Sequence, residues 1–246
     1  MDSSKNIDAC RYWVVVPAAG IGARMGADCP KQYLQLAGKT LLEQTLDRLL
    51  QLPKLAGILL ALHPEDAHWF DLPLSRDKRI TVVDGGQERS RSVLNALNHL
   101  SLEASGQDWV LVHDAARPCV TPGAINELCR QIEGHPVGGL LGVPVGDTLK
   151  KIQAPSQPGH LQKVVGTLDR SLLWQAQTPQ AFRCQLLRDC LTQALAQGAS
   201  ITDEASALEL AGYQPLMVEG RGDNIKVTRP EDLALAELIL RRQEQD

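Results

Sequence analysis

The chain has 246 residues, of which 43% are hydrophobic and 22% charged, with a formal net charge of −4. That length supports one large or two small domains, and the balance is ordinary for a globular enzyme. Slight acidity argues against a general nucleic-acid binder, no apolar run approaches a membrane span, and the opening MDSSKNIDACRYW lacks a signal-peptide core, so a cytoplasmic location is expected.

The first expected strand is residues 12–16, YWVVV, apolar and β-branched. It runs into Pro17-Ala18-Ala19-Gly20-Ile21-Gly22-Ala23-Arg24-Met25-Gly26, and Pro30-Lys31-Gln32 follows. A buried strand feeding a small-residue loop, with a basic side chain at each end, is a place to hold a triphosphate. Small side chains let backbone N–H groups approach phosphate oxygens, and Arg24 and Lys31 neutralise their charge. Two commoner motifs fail. Gly20, Gly22 and Gly26 are spaced one residue too long for the dinucleotide fingerprint. Gly38-Lys39-Thr40 lacks the first glycine of a P-loop, where Tyr33 stands. Thr40 instead opens a T-x-x-E capping box with Glu43, starting a helix over 41–52.

Further strands are expected at 57–62, 80–83, 109–113 and 138–143, and helices at 90–100, 122–133, 183–197, 204–211 and 231–242. The last helix begins with Thr228-Arg229-Pro230-Glu231, a second T-x-x-E box, and ends in Arg241-Arg242, which suits the helix dipole. Thr202, before Asp203-Glu204, reads by default as an N-cap. Strand–helix alternation with near-continuous apolar strands predicts an α/β fold, a mostly parallel sheet with helices on both faces. Residues 147–169 break the pattern. Two polar strand-like pieces, 148–153 and 161–167, flank a loose APSQPG tip. This hairpin has little apolar surface of its own, so it is expected to pack on a partner, most simply a second copy of the chain.

Ligands of open α/β sheets lie beyond the carboxyl ends of the strands. There the sequence places Ala18-Ala19-Gly20 with Arg24, the run from Asp84 to Ser92, His113-Asp114-Ala115-Ala116-Arg117-Pro118, Pro144-Val145-Gly146-Asp147-Thr148 and, near the end, the run from Arg221 to Thr228. Asp84-Gly85-Gly86 is either a tight turn or a backbone edge that reads a base, with Ser92 adding a hydroxyl. Asp114 suits a metal ligand, a sugar-hydroxyl acceptor or a cap, and Arg117 a phosphate clamp or a structural partner of Asp114. Lys226 beside Asp223 reads plainly as a surface ion pair of little worth. Six cysteines without a C-x-x-C spacing argue for free thiols rather than a zinc site or redox pair.

Taken together, PAAGIGARMG…PKQY, VDGGQERSRSV, VLVHDAARP, VGDTLK, LDRSLLWQAQTPQ, ITDEASALE and VEGRGDNIKVTRPEDLALAE closely resemble the 2-C-methyl-D-erythritol 4-phosphate cytidylyltransferase family of the non-mevalonate isoprenoid pathway. The resemblance runs from about Trp13 to Leu240, and HDAARP, TPQ and ITDEA with DNIKVT carry most of its specificity. It implies a Rossmann-like nucleotidyltransferase, one domain over 1–246, with a β-arm at about 147–170 that joins two subunits of a homodimer. It implies CMP transfer from CTP to methylerythritol phosphate with Mg²⁺, held mainly by the CTP phosphates, since no protein metal ligand is assigned. Arg24, Lys31 and Lys226 are then the catalytic cations, and Ala18, Ala19, Gly20, Gly86 and Ser92 the cytidine pocket. Asp114, Arg117, Thr148, Arg170, Thr178 and Thr202 become the acceptor site, with Thr148 and Arg170 acting across the dimer. Ala23 stands where many relatives carry a second basic residue. The nearest alternative is a cytidylyltransferase for a related polyol phosphate such as ribitol 5-phosphate. A nucleophile that is already an anionic phosphate oxygen needs alignment and charge neutralisation rather than a strong base, which suits a chain without a catalytic His or Cys constellation.

Overall fold

A computed structural model describes residues 10–20, 29–153 and 161–245. In chain order its elements are β1 (Tyr12–Pro17), the ribbon β2 (Gln35–Leu36) and β3 (Lys39–Thr40), α1 (Leu41–Leu49), β4 (Leu55–Leu62), β5 (Ile80–Asp84), α2 (Arg89–Leu100), β6 (Trp109–Val112), α3 (Pro122–Ile132) and β7 (Gly138–Pro144). The hairpin β8 (Lys150–Gln153) and β9 (Lys163–Thr167) follows, then β10 (Trp174–Arg183), α4 (Cys184–Ala196), α5 (Glu204–Leu210), β11 (Leu216–Glu219) and α6 (Pro230–Gln243).

Seven strands form one sheet in the order β11-β7-β10-β6-β1-β4-β5. Four of its six pairings are parallel, joining β6 to β1, β1 to β4, β4 to β5 and β11 to β7, while β10 runs antiparallel to both β6 and β7. The apolar strands are explained by burial on both faces. Val14, Val16, Ile58, Leu60 and Leu111 point to the face covered by α1 and α3, through Leu42, Leu46, Ile125 and Leu128. Val15, Leu59, Val110 and Val112 point to the other face, covered by α2 and α4 through Val93, Leu97, Leu187 and Leu191. Side chains that alternate across a strand, with both faces dry, require an apolar residue at every position. Helices thus cover both faces, as the alternation predicts.

Strand β10 is absent from the sequence reading. It carries Gln175, Gln177 and Gln180, and Pro179 lacks the N–H a ladder needs. The strand accommodates the proline by a register irregularity between Ala176 and Gln180. Strand β11 is also unexpected, a short four-residue edge.

The caps hold once and shift twice. At α1, Thr40 Oγ1 accepts from Glu43 N–H at 3.1 Å and the Glu43 carboxylate accepts from Thr40 N–H at 2.9 Å, as expected. At α6, Arg229 is the N-cap residue and Pro230 takes the first helical position, so Asp232 replaces Glu231 as the capping carboxylate. Its Oδ2 accepts from the N–H groups of Thr228 and Arg229 at 2.8 and 2.9 Å. At α5 the cap is Asp203 rather than Thr202, because Asp203 Oδ1 accepts from Ser206 N–H at 3.0 Å.

The hairpin forms, with Lys150 opposite Thr167 and Gln153 opposite Lys163. Its expected tip, 154–159, lies outside the described residues. The expectation of little apolar surface is wrong. Ile152, Val164 and Val165 are 45%, 61% and 56% exposed, and Leu161, Leu168 and Leu172 add to them.

Candidate active site

Beyond the carboxyl ends of β1, β5 and β6 lies a cleft of about 280 Å³. Ala18, Ala19, Gly20, Gly86, Ser92, Asp114, Lys31 and Lys226 all line it. Eight of the residues singled out in the sequence therefore meet at one place. Arg24 lies outside the described residues.

Local bonds explain how each wall is set. The loop after β1 is pinned where Gln32 Nε2 donates to Ala18 O at 2.9 Å. Gly85 lies so close to Ala19 that a Cβ would collide with it, so this position requires glycine. Gly86 N–H donates to Ser92 Oγ at 2.9 Å, so the Ser92 hydroxyl shapes the turn as well as facing the cleft. Lys31 and Lys226 meet through the backbone. Lys31 Nζ donates to Val227 O at 2.9 Å, and Val227 N–H donates to Ala116 O at 2.8 Å.

Asp114 is the electrostatic centre. Its Oδ1 accepts from Arg89 Nε at 2.9 Å, and its Oδ2 lies 2.8 Å from Lys226 Nζ. Lys226 therefore pairs with Asp114 and not with its neighbour Asp223, which pairs with Arg221 at 2.8 Å. Arg117 serves partly as a structural partner. Its Nη1 donates to Asn224 O at 2.7 Å, while its buried Nε makes no hydrogen bond and stands 3.8 Å from Asp114 Oδ2.

Thr178, on β10, is buried and its hydroxyl is engaged on both sides. It accepts from Asp114 N–H at 3.1 Å and lies 3.1 Å from His113 Nδ1. It braces Asp114 from behind and does not line the cleft. Thr148, Arg170 and Thr202 are exposed and also lie away from the cleft lining of this single chain.

Sequence reasoning missed four side chains. Arg89 grips Glu204 with both terminal nitrogens, at 2.6 and 3.0 Å, and Glu204 is fully buried. Gln180, also fully buried, donates to Asp203 Oδ2 and accepts from Ala205 N–H, both at 2.9 Å. Asn224 donates to Thr178 O at 3.0 Å and so ties the Lys226 loop to β10. Arg89 and Glu204 stand inside segments noted for their charge, but nothing local pairs residues 115 positions apart.

Residues 12–242 match the family described as IspD: 2-C-methyl-D-erythritol 4-phosphate cytidylyltransferase. The chain belongs to the IspD family. A 2-C-methyl-D-erythritol 4-phosphate cytidylyltransferase of Pseudomonas syringae pv. tomato is 55% identical over 223 residues, 90% of this chain and 92% of that protein. One from Escherichia fergusonii is 50% identical over 241 residues, 98% of this chain and 97% of its own. The solved Francisella tularensis IspD is 38% identical and superposes with a TM-score of 0.79, covering 93% of this chain and 99% of that one.

Charge in this IspD cleft is set by competition between burial and pairing. Burial acts to raise the Asp114 carboxyl, but Arg89 and Lys226 outweigh it and hold the group below the usual carboxylate range. Burial pushes the Glu204 carboxyl up, and the Arg89 fork opposes that rise. Burial also pushes the His113 imidazole down to about 4, so it is neutral near pH 7. The cleft thus presents lysine cations beside an ionised aspartate, which suits binding and aligning anions rather than proton abstraction by histidine.

Proposed function

We propose that this chain transfers the cytidylyl group of CTP to 2-C-methyl-D-erythritol 4-phosphate, releasing pyrophosphate and 4-diphosphocytidyl-2-C-methyl-D-erythritol. The observation that carries the reading is the convergence of Lys31 and Lys226, from opposite ends of the chain, on a cleft walled by Ala18, Ala19, Gly20 and Gly86. An oxygen of the acceptor phosphate attacks the α-phosphorus of CTP. The new P–O bond forms as the α–β bridging P–O bond breaks, and pyrophosphate leaves with that electron pair. Lys31, Lys226 and Arg24 neutralise the charge on the transferring group, and the backbone N–H groups of the loop orient it.

The small residues leave room for the cytidine, with Ser92 fixing the turn beneath it. Asp114 and Arg117 face the acceptor, and Thr178 supports Asp114 from β10. Thr148, Arg170 and Thr202 complete the acceptor site in this reading. The first two stand at the roots of the hairpin, whose exposed Ile152, Val164 and Val165 suit burial against a second copy. The proposal therefore includes a homodimer joined through the arm, in which Thr148 and Arg170 serve the partner's cleft.

Mg²⁺ fits this site as the counter-ion of CTP. Among the described residues no three His, Cys, Asp or Glu side chains gather to ligate an ion, and Asp114 is already paired with Arg89 and Lys226. The triphosphate oxygens would supply most of its ligands, and the bound ion would neutralise phosphate charge. A cytoplasmic location belongs to the same proposal. Among the described residues no helix is long and apolar enough to cross a membrane.

Pyrophosphate release tests the reading. With Mg²⁺ and CTP, turnover is expected with methylerythritol 4-phosphate and not with ribitol 5-phosphate or without acceptor. Turnover with ribitol 5-phosphate alone would overturn the acceptor assignment.

A further inference from the structure

We propose that Glu204 is a positioning residue for the transfer reaction, acting through Arg89 and Asp114 to fix where the Lys226 ammonium sits. The inference rests on the transferase reading above and extends it to a side chain that does not line the cleft. Glu204 has no exposed surface, yet it is charged and takes both terminal nitrogens of Arg89. The third nitrogen of Arg89, Nε, donates to Asp114 Oδ1 at 2.9 Å. The other oxygen of Asp114 is the seat of Lys226, at 2.8 Å. Four charged groups from α5, α2, the β6 loop and the loop before α6 therefore form one line from the interior to the cleft.

Gln180 holds both neighbours of Glu204, through Asp203 Oδ2 and Ala205 N–H. Its side chain is fully buried, on a strand flanked by β6 and β7. A buried ion pair is weak evidence for stability, since desolvation offsets much of its attraction. It is better suited to fixing one geometry. An arginine whose planar fork is filled by one carboxylate presents its Nε to a second in a single orientation.

Without the Glu204 charge, Arg89 has one carboxylate left to serve. It then draws Asp114 toward its terminal nitrogens, and Lys226 loses its seat. The test uses Glu204→Gln and, as a variant with an intact Glu204, Arg89→Lys, whose single ammonium cannot hold two carboxylates in a fixed plane. For either variant kcat is expected to fall about tenfold to a hundredfold, the scale of a misplaced catalytic group. The KM for CTP should change by less than about threefold, because the loss is felt in the transition state.

Two further readouts separate positioning from a merely structural role. In a Lys226→Gln background, Glu204→Gln should cost kcat little more, whereas a structural defect would cost the same factor in both backgrounds. Labelling of Lys226 by an amine-directed reagent, followed by mass spectrometry, should be several-fold faster in both single variants than in the parent. Equal losses in both backgrounds, or unchanged Lys226 labelling, would overturn the inference. If the parent protein turns over no methylerythritol 4-phosphate, the transferase reading fails by itself, and the labelling rates still decide the role of Glu204.

Discussion

Lowering the pH should destabilise the protein through His113. This imidazole is fully buried. Its Nε2 lies 3.1 Å from Arg117 O, and a carbonyl oxygen only accepts, so Nε2 carries the proton. Its Nδ1 must then accept from the Thr178 hydroxyl, which in turn accepts from Asp114 N–H. A second proton on the ring turns Nδ1 into a donor and breaks that order. Burial lowers the pKa from 6.5 to about 4, with the Arg117 carbonyl and Asp114 opposing the shift and the Arg117 and Arg89 charges adding to it. The unfolded chain therefore binds the proton first as pH falls. The stability tied to neutral His113 is complete above about pH 6.5 and is lost progressively toward pH 4. The full term is about 3 kcal/mol, of which about 2 kcal/mol disappears between pH 7.5 and pH 5. The Asp114 carboxyl is held below its usual range, so its own linkage falls at more acid pH. Urea unfolding across pH 7.5 to 5 measures the slope in the parent and in His113→Gln, which keeps a donor for Arg117 O. The variant should be less stable at pH 7.5 and should lack the extra loss of about 2 kcal/mol on acidification. Equal slopes in the two proteins would refute the assignment of a neutral, hydrogen-bonded His113.

Lys31→Ala should lower kcat by about a hundredfold or more, the usual scale for one preorganised electrostatic contact, and a loss under about tenfold in steady-state pyrophosphate release would exclude that role. Arg170→Ala should raise the KM for the sugar phosphate with little effect on that for CTP, and a change in the CTP value alone would remove Arg170 from the acceptor site. Asp232→Ala should cost about 1 kcal/mol in denaturant unfolding, as loss of a helix cap does, while Glu231→Ala should stay within about 0.5 kcal/mol. A larger loss from Glu231→Ala would restore the cap to the residue the sequence pattern first suggests.

The parts of the fold legible in the sequence are those where one local rule acts alone. Strands buried on both faces must be apolar throughout, so Val14, Val15 and Val16 or Ile58, Leu59 and Leu60 announce themselves. The Thr40–Glu43 box is legible because both of its bonds lie within four residues. The box at α6 misleads because the spacing counts from Thr228, while Pro230 moves the helix start and makes Asp232 the near carboxylate. The cleft walls were legible for a similar reason. Small residues and cations at strand ends have few other uses when they recur together. Pairings such as Lys226 with Asp114 have no local signature, so the nearer Asp223 competed for the assignment and lost only in three dimensions.

Strand β10 is the instructive failure. Its centre is polar because it works as a support for the site rather than as part of the apolar core. Gln177 holds the loop that carries Lys226 through Arg221 O, Thr178 holds the Asp114 backbone, and Gln180 holds the start of α5 beside Glu204. Each of these polar groups is buried and satisfied, which removes the main cost of having it there. An apolar strand at this position would lose the bonds to the Asp114 backbone, to the loop that carries Lys226 and to the residues on either side of Glu204. The polar residues that hide β10 from a hydrophobicity pattern are therefore the ones that connect the sheet to the chemistry, through the Lys226 loop, the Asp114 backbone and the start of α5.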